Sequence, residues 1–135
     1  MKHVLIILLA VIAAGSCKKA VEKIQENAAL SIMTKGQWVI NEFTESTDDV
    51  TGDFAGYSFQ FYENGTVIGL SGGAEKKGTW EANIAGRTIT AHFPGGGLPV
   101  EKLNAVWTIT DSSADEVKAK TTIDNIPKTL WLKKK

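Results

Sequence analysis

The chain has 135 residues, and 15 Lys and Arg balance 15 Asp and Glu, for a net charge of zero. That length holds one small domain, and the balanced charge gives no electrostatic basis for a nucleic-acid partner. At 43% hydrophobic and 22% charged residues the composition is globular, not disordered, and the single cysteine excludes an intramolecular disulfide and a cysteine-based zinc cage.

Lys2 and His3 precede an unbroken apolar run, Val4 to Ala14. A membrane-spanning helix needs about 20 apolar residues, so the run fits instead the core of a secretory signal peptide over residues 1–16. The next stretch, Ala14-Gly15-Ser16-Cys17, resembles the bacterial lipobox. The resemblance implies that Cys17 becomes the acylated N-terminus and holds the protein to a membrane through lipid, palmitate included. Several acyl chains anchor stably where one binds only marginally. Lys18 and Lys19 follow with no acidic residue before Glu22. By the same resemblance the expected location is the cell envelope, at the outer membrane with the domain facing the periplasm.

Residues 17–35 are expected to form a lipid-anchored, partly helical tether. Lys18 to Leu30 is rich in helix formers, and Val21, Ile24, Ala28 and Ile32 fall at helical spacing. Either the helix stays in solvent, or it packs on the domain and closes one end of it.

From Gly36 the pattern changes to period two, the signature of half-buried strands. Eight strands are predicted, at 36–44, 55–62, 66–71, 76–84, 87–93, 104–110, 116–122 and 129–133. Asn64-Gly65 between apolar runs predicts a type I′ hairpin, with positive φ at both central positions. Pro94-Gly95-Gly96-Gly97-Leu98-Pro99 interrupts the sheet, because prolines and glycines do not sustain a ladder. The fold class is therefore all-β, and eight antiparallel strands close a small barrel without exposed edges.

Gly36-Gln37-Trp38 opens the first strand, where lipocalins carry a Gly-x-Trp signature. With Gly56-Tyr57-Ser58-Phe59-Gln60-Phe61, Asn64-Gly65-Thr66-Val67, Gly78-Thr79-Trp80 and Leu103-Asn104-Ala105-Val106-Trp107 in order behind it, the chain resembles the small bacterial lipocalin-like lipoproteins. The resemblance covers 36–135 and implies a lipocalin-like β-barrel at the cell envelope. The chain is shorter than large lipocalins and lacks their paired cysteines.

Trp38, Phe59, Phe61, Trp80, Phe93 and Trp107 lie on the apolar faces of their strands, and Tyr57 has its polar tip near a strand start. These seven residues are the candidate ligand-binding set. In an open barrel they line a pocket for an apolar molecule; in a closed one they are the core. The loop 45–53 gathers Glu45, Asp48, Asp49 and Asp53, but not at EF-hand spacing. It reads as a solvated loop, a lid or a partner contact. His92 lies on the solvent face of its strand with no nucleophile placed beside it. The expected protein is accordingly non-enzymatic, with no cofactor and no metal. Two functions follow: binding of a small apolar ligand inside the barrel, or a protein–protein interaction module with a filled barrel. The second, an inhibitor or an envelope assembly accessory, would use loops 45–54 and 94–103.

Overall fold

The computed structural model describes residues 27–135. The expected leader at 1–16, Cys17 and the tether up to residue 26, with Val21 and Ile24, lie outside the described residues.

Residues 27–34 form helix α1. The strands are β1 (Trp38–Glu45), β2 (Asp48–Asp49), β3 (Ser58–Phe61), β4 (Thr66–Ser71), β5 (Ala74–Asn83), β6 (Thr88–His92), β7 (Ala105–Ser112), β8 (Glu116–Ile123) and β9 (Ile126–Lys134). Short 3₁₀ helices at Thr51–Phe54 and Val100–Leu103 interrupt the connections before β3 and β7. β1 pairs antiparallel with both β2 and β3, each strand from β3 to β8 pairs antiparallel with the next, and β9 pairs with β1 from Trp38↔Lys134 to Glu45↔Lys128. That last ladder closes β1 and β3–β9 into an eight-stranded barrel, as the period-two pattern predicts; β2 is a small extension on the end of β1.

The closure gives the barrel two unlike ends. The loop end carries the connections 46–57, 72–73, 93–104 and 124–125. The helix end carries α1, the turns near 62–65, 84–87 and 113–115, and the C-terminus.

Two bulges keep charges out of the core. Strict alternation from Trp38 and Ile40 would turn Glu42 inward, but a bulge between Ile40 and Glu42 adds one residue, so Phe43 is the next side chain buried. A second bulge between Ile109 and Asp111 puts Asp111 opposite outward-facing Lys118, exposed. The interior indoles are fully satisfied. Trp38 Nε1 donates to the Met33 carbonyl at 3.0 Å, Trp80 Nε1 to Tyr62 at 2.8 Å and Trp107 Nε1 to Leu103 at 2.9 Å.

Two local expectations are corrected. The turn at Asn64-Gly65 is not type I′: only Gly65 has positive φ, at 88°. Gly65 N donates to Tyr62 O at 3.1 Å and Tyr62 N to Thr66 O at 2.8 Å, so the connection is a three-residue loop with glycine in the left-handed position. Asn64 instead accepts from Thr66 N at 3.0 Å, which a right-handed Asn permits. The two-residue turns with both φ positive are Gly72-Gly73 and Asp124-Asn125. The second correction concerns α1, whose packed face follows the Ala28–Ile32 stripe only in part. Ala28 is exposed, Met33 is buried, and Leu30 and Ile32 touch the core. The helix is rolled so that Met33 meets the end of the barrel beside Trp38.

Candidate functional site

The candidate residues come together inside the barrel. Trp38, Phe59, Phe61, Trp80, Phe93 and Trp107 are all buried, and Tyr57 is half-buried, its ring stacked 6.0 Å from that of Phe59. Phe61 meets Trp80 edge-on at 5.3 Å and Phe59 meets Phe93 at 6.2 Å, the offset geometry that aromatic quadrupoles favour. Of the seven, Phe59, Phe61, Phe93 and Trp107 line, with the small residues Ala91 and Ala119, an apolar cavity of about 40 Å³; Trp38, Tyr57 and Trp80 do not.

The helix end is closed by α1. Lys134, which alternation turns inward, places its ammonium 4.6 Å from the Trp38 ring centre and donates to the carbonyls of Ile32, at 2.7 Å, and Lys35. It thereby caps the C-terminal carbonyls that a helix leaves unpaired. Burial pushes its pKa below the ordinary lysine value, with Asp115 opposing that shift. Of the terminal residues Lys133-Lys134-Lys135, the middle one is thus pinned to the helix.

The loop end is closed by residues that sequence reasoning missed. Phe54, from the first 3₁₀ helix, and Val100 and Leu103, from the second, are buried over the barrel mouth. A Cβ on Gly96 would approach Val100 to 2.8 Å, so the glycine run lets the backbone pass close over the plug. The signals were present but faint: a lone Phe at the end of an acidic loop, and two apolar residues three apart behind a glycine run.

The two loops are tied together. Lys102 Nζ contacts Glu45 at 2.8 Å and Asp53 at 3.0 Å, and Lys128 contacts the other Glu45 oxygen at 3.1 Å. The Lys102 ammonium, with Lys128 beside it, holds the Glu45 carboxyl below its ordinary pKa, and Glu45 and Asp53 raise that of Lys102. Asp49 accepts from the Thr51 hydroxyl at 2.5 Å and its amide at 3.0 Å, which lowers the Asp49 pKa and fixes the turn. The Thr51 hydroxyl oxygen in turn accepts from Phe43 N at 2.9 Å. The acidic loop is therefore held in a defined shape. Among the described residues no three His, Cys, Asp or Glu side chains converge as a ligand set, and His92 is exposed on the outer wall.

Large apolar side chains stand out at the same end. Leu98, in the 93–104 loop, is 73% exposed; Val106 at the start of β7 is 55% and Ile126 at the start of β9 is 43% exposed. Loops 45–54 and 94–103 thus form one surface: a locked frame with charged edges and protruding apolar residues.

No protein-family model matches the chain, and no curated protein matches it. A similar solved structure is that of a DUF4847 family protein from Bacteroides vulgatus ATCC 8482, with a TM-score of 0.55 and 14% sequence identity. The match covers 78% of this chain and 96% of that one. At this identity the likeness is one of fold, and an eight-stranded barrel fits the lipocalin-like architecture expected from the sequence.

Proposed function

We propose that this is a lipid-anchored envelope protein whose filled barrel presents loops 45–54 and 94–103 to another envelope protein. The interior carries this reading. Small-molecule sites commonly enclose about 300–1,000 Å³, whereas the space among the candidate aromatics is about 40 Å³. The indole N–H groups that could orient a ligand there already donate to backbone carbonyls. The barrel acts as a rigid scaffold, and the loops it holds supply recognition. Leu98, Val106 and Ile126 supply apolar contact area there. The anchor and outer-membrane location rest on the apolar leader and Cys17.

Two measurements test the proposal. Titration with a lipophilic fluorescent probe, read also through tryptophan emission, is expected to show no uptake; saturable uptake by the native protein would restore the small-ligand reading. A photo-crosslinking residue in place of Leu98 is expected to give a discrete protein adduct in intact cells that one at Thr108, on the outer wall, does not. Adducts of equal yield from both positions would remove the loop end as the interface.

A further inference from the structure

The segment between β6 and β7 makes its main-chain hydrogen bonds with itself. Gly96 N donates to Phe93 O at 3.3 Å, Glu101 N to Gly97 O at 3.1 Å, Lys102 N to Pro99 O at 2.9 Å and Asn104 N to Glu101 O at 3.1 Å. Its two ends meet at a neck, where Phe93 N donates to the Asn104 side chain at 2.6 Å and Ala91 pairs with Ala105. The Leu103 carbonyl, held by Trp107 Nε1, belongs to that neck. The segment is thus a compact loop with closed ends. Among the described residues, the one polar tie from 94–102 to any part beyond the neck is Lys102 Nζ, on Glu45 and Asp53.

We infer that residues 95–102 are a hinged lid on the barrel mouth, seated by Val100 and latched by Lys102. Val100 is fully buried and fills the space over Gly69, where a Cβ would meet Phe59 at 3.1 Å and Val100 at 3.5 Å. The hinge on one side is Gly95 and Gly97, at φ 63° and 72°, residues that leave the left-handed region without steric cost. On the other side it is the step from Lys102 to the anchored Leu103. Lifting the lid takes Val100 off Phe59 and parts Lys102 from Glu45 and Asp53, and no strand ladder is broken. Ion pairs this exposed contribute little and are screened by salt, so the lid opens well before the wall does. Leu98, 73% exposed, rides on the lid, so whatever grips it pulls on the latch. Lid opening and partner binding are separate properties: crosslinking at Leu98 reads the second, and access to residue 100 reads the first.

The test compares two buried thiols in the full chain. Val100 in the lid and Val67 in β4 are both fully buried, and cysteine replaces either as a small apolar side chain. Val100→Cys and Val67→Cys are labelled with iodoacetamide, and the label is read in the peptide holding the substituted residue, apart from Cys17. Residue 100 is expected to react about tenfold faster than residue 67, because a lid opens locally. Lys102→Gln, which removes the charge and keeps the stem, is expected to speed residue 100 several-fold and leave residue 67 unchanged. Loss of a nearby cation by itself would slow a thiolate, so a rise reports access. Equal rates at the two positions overturn the lid, since both would then react only through unfolding of the whole barrel; a rate at residue 100 unchanged by Lys102→Gln overturns the latch. With the lid residues unsubstituted, trypsin reads the same opening. Cleavage after Lys102 is expected to be several-fold faster in Glu45→Gln than in wild type, and cleavage after Lys77 in β5 to be the same in both. Cleavage after Lys102 at the wild-type rate in Glu45→Gln counts against the latch in the same way.

Discussion

At the scale of single residues, two positions carry requirements that their chemistry makes specific. A Cβ on Gly78 would lie 2.5 Å from the His92 carbonyl and 2.8 Å from the Phe93 ring, neither of which is a flexible chain end. Gly78 is thus the space into which Phe93 packs, and Gly78→Ala is expected to cost about 1–3 kcal/mol, the usual penalty of overpacking a dense core; urea denaturation measures it. Glu45 is the second position. Because Lys102 and Lys128 hold its folded pKa below the ordinary value, the stability it adds is present at neutral pH and is lost as pH falls through the acid range. Lys102 has a raised pKa, so its share is complete at neutral pH and is lost only in strong alkali. Both side chains are roughly a quarter exposed, which limits the pair, and half-exposed Asp53 adds little. Glu45→Gln is expected to cost about 1 kcal/mol at pH 7. The gap to wild type narrows as pH falls below the ordinary glutamate value and closes once the native carboxylate, with its lowered pKa, is protonated; a gap unchanged down to strong acid would show that packing rather than charge holds the loops.

At the scale of elements, α1 depends on one side chain from the far end of the chain. Lys134→Met keeps the apolar stem over Trp38 but loses the donations to Ile32 and Lys35. Hydrogen exchange at amides 27–34 is expected to speed up about tenfold, for a loss near 1.4 kcal/mol, in the range of a charged hydrogen bond to backbone. Exchange in β7–β9 stays as in wild type if the helix is a separately opening unit. The strands were legible because a sheet buried on one face must alternate, and that alternation is written along the strands between Trp38 and Leu132, apart from the bulges in β1 and β7. What was not legible has a common cause. The inward turn of Phe43 depends on a bulge, the burial of Val100 and Leu103 on a loop folding over the mouth, and the face of α1 on the position of Trp38. Each is set by a neighbour distant in sequence, and period alone carries no such information. The candidate aromatics were identifiable as one set for the same reason as the strands. Whether they lined a pocket or filled it depended on the plug, which lay in segments read as loops.

At the scale of the whole molecule, the barrel is not equally strong around its circumference. β9 pairs with β1 along the full strand and with β8 from Glu116↔Lys133 to Ile123↔Ile126, so the C-terminal strand is bonded on both edges. β1 meets β3 in a single pair, Trp38↔Phe59. Beyond that pair the edge of β1 is held by Val50 N donating to Phe43 O at 2.9 Å and by Phe43 N donating to the Thr51 hydroxyl at 2.9 Å. A gap of about 390 Å³ lies between Val39 and Ile40 on one side and residues 51–58 on the other. Local opening free energy falls where backbone pairs and apolar contacts are few, so this seam is the place where the wall parts first. It is also the seam that the first 3₁₀ helix covers with Phe54, so parting it exposes the mouth and the aromatic interior together. Native-state hydrogen exchange is expected to show amides of 51–61 opening at lower free energy than those of β8 and β9. Thr51→Val, close in shape but without the hydroxyl, removes both its bond to Phe43 N and its bond to Asp49. It is expected to lower protection at Phe43 by about 1 kcal/mol, roughly fivefold in exchange rate, with little change at Leu130 or Leu132. Equal loss at all three would mean that the barrel opens only by unfolding as a whole, and that the single Trp38↔Phe59 pair is as strong as the ladder opposite.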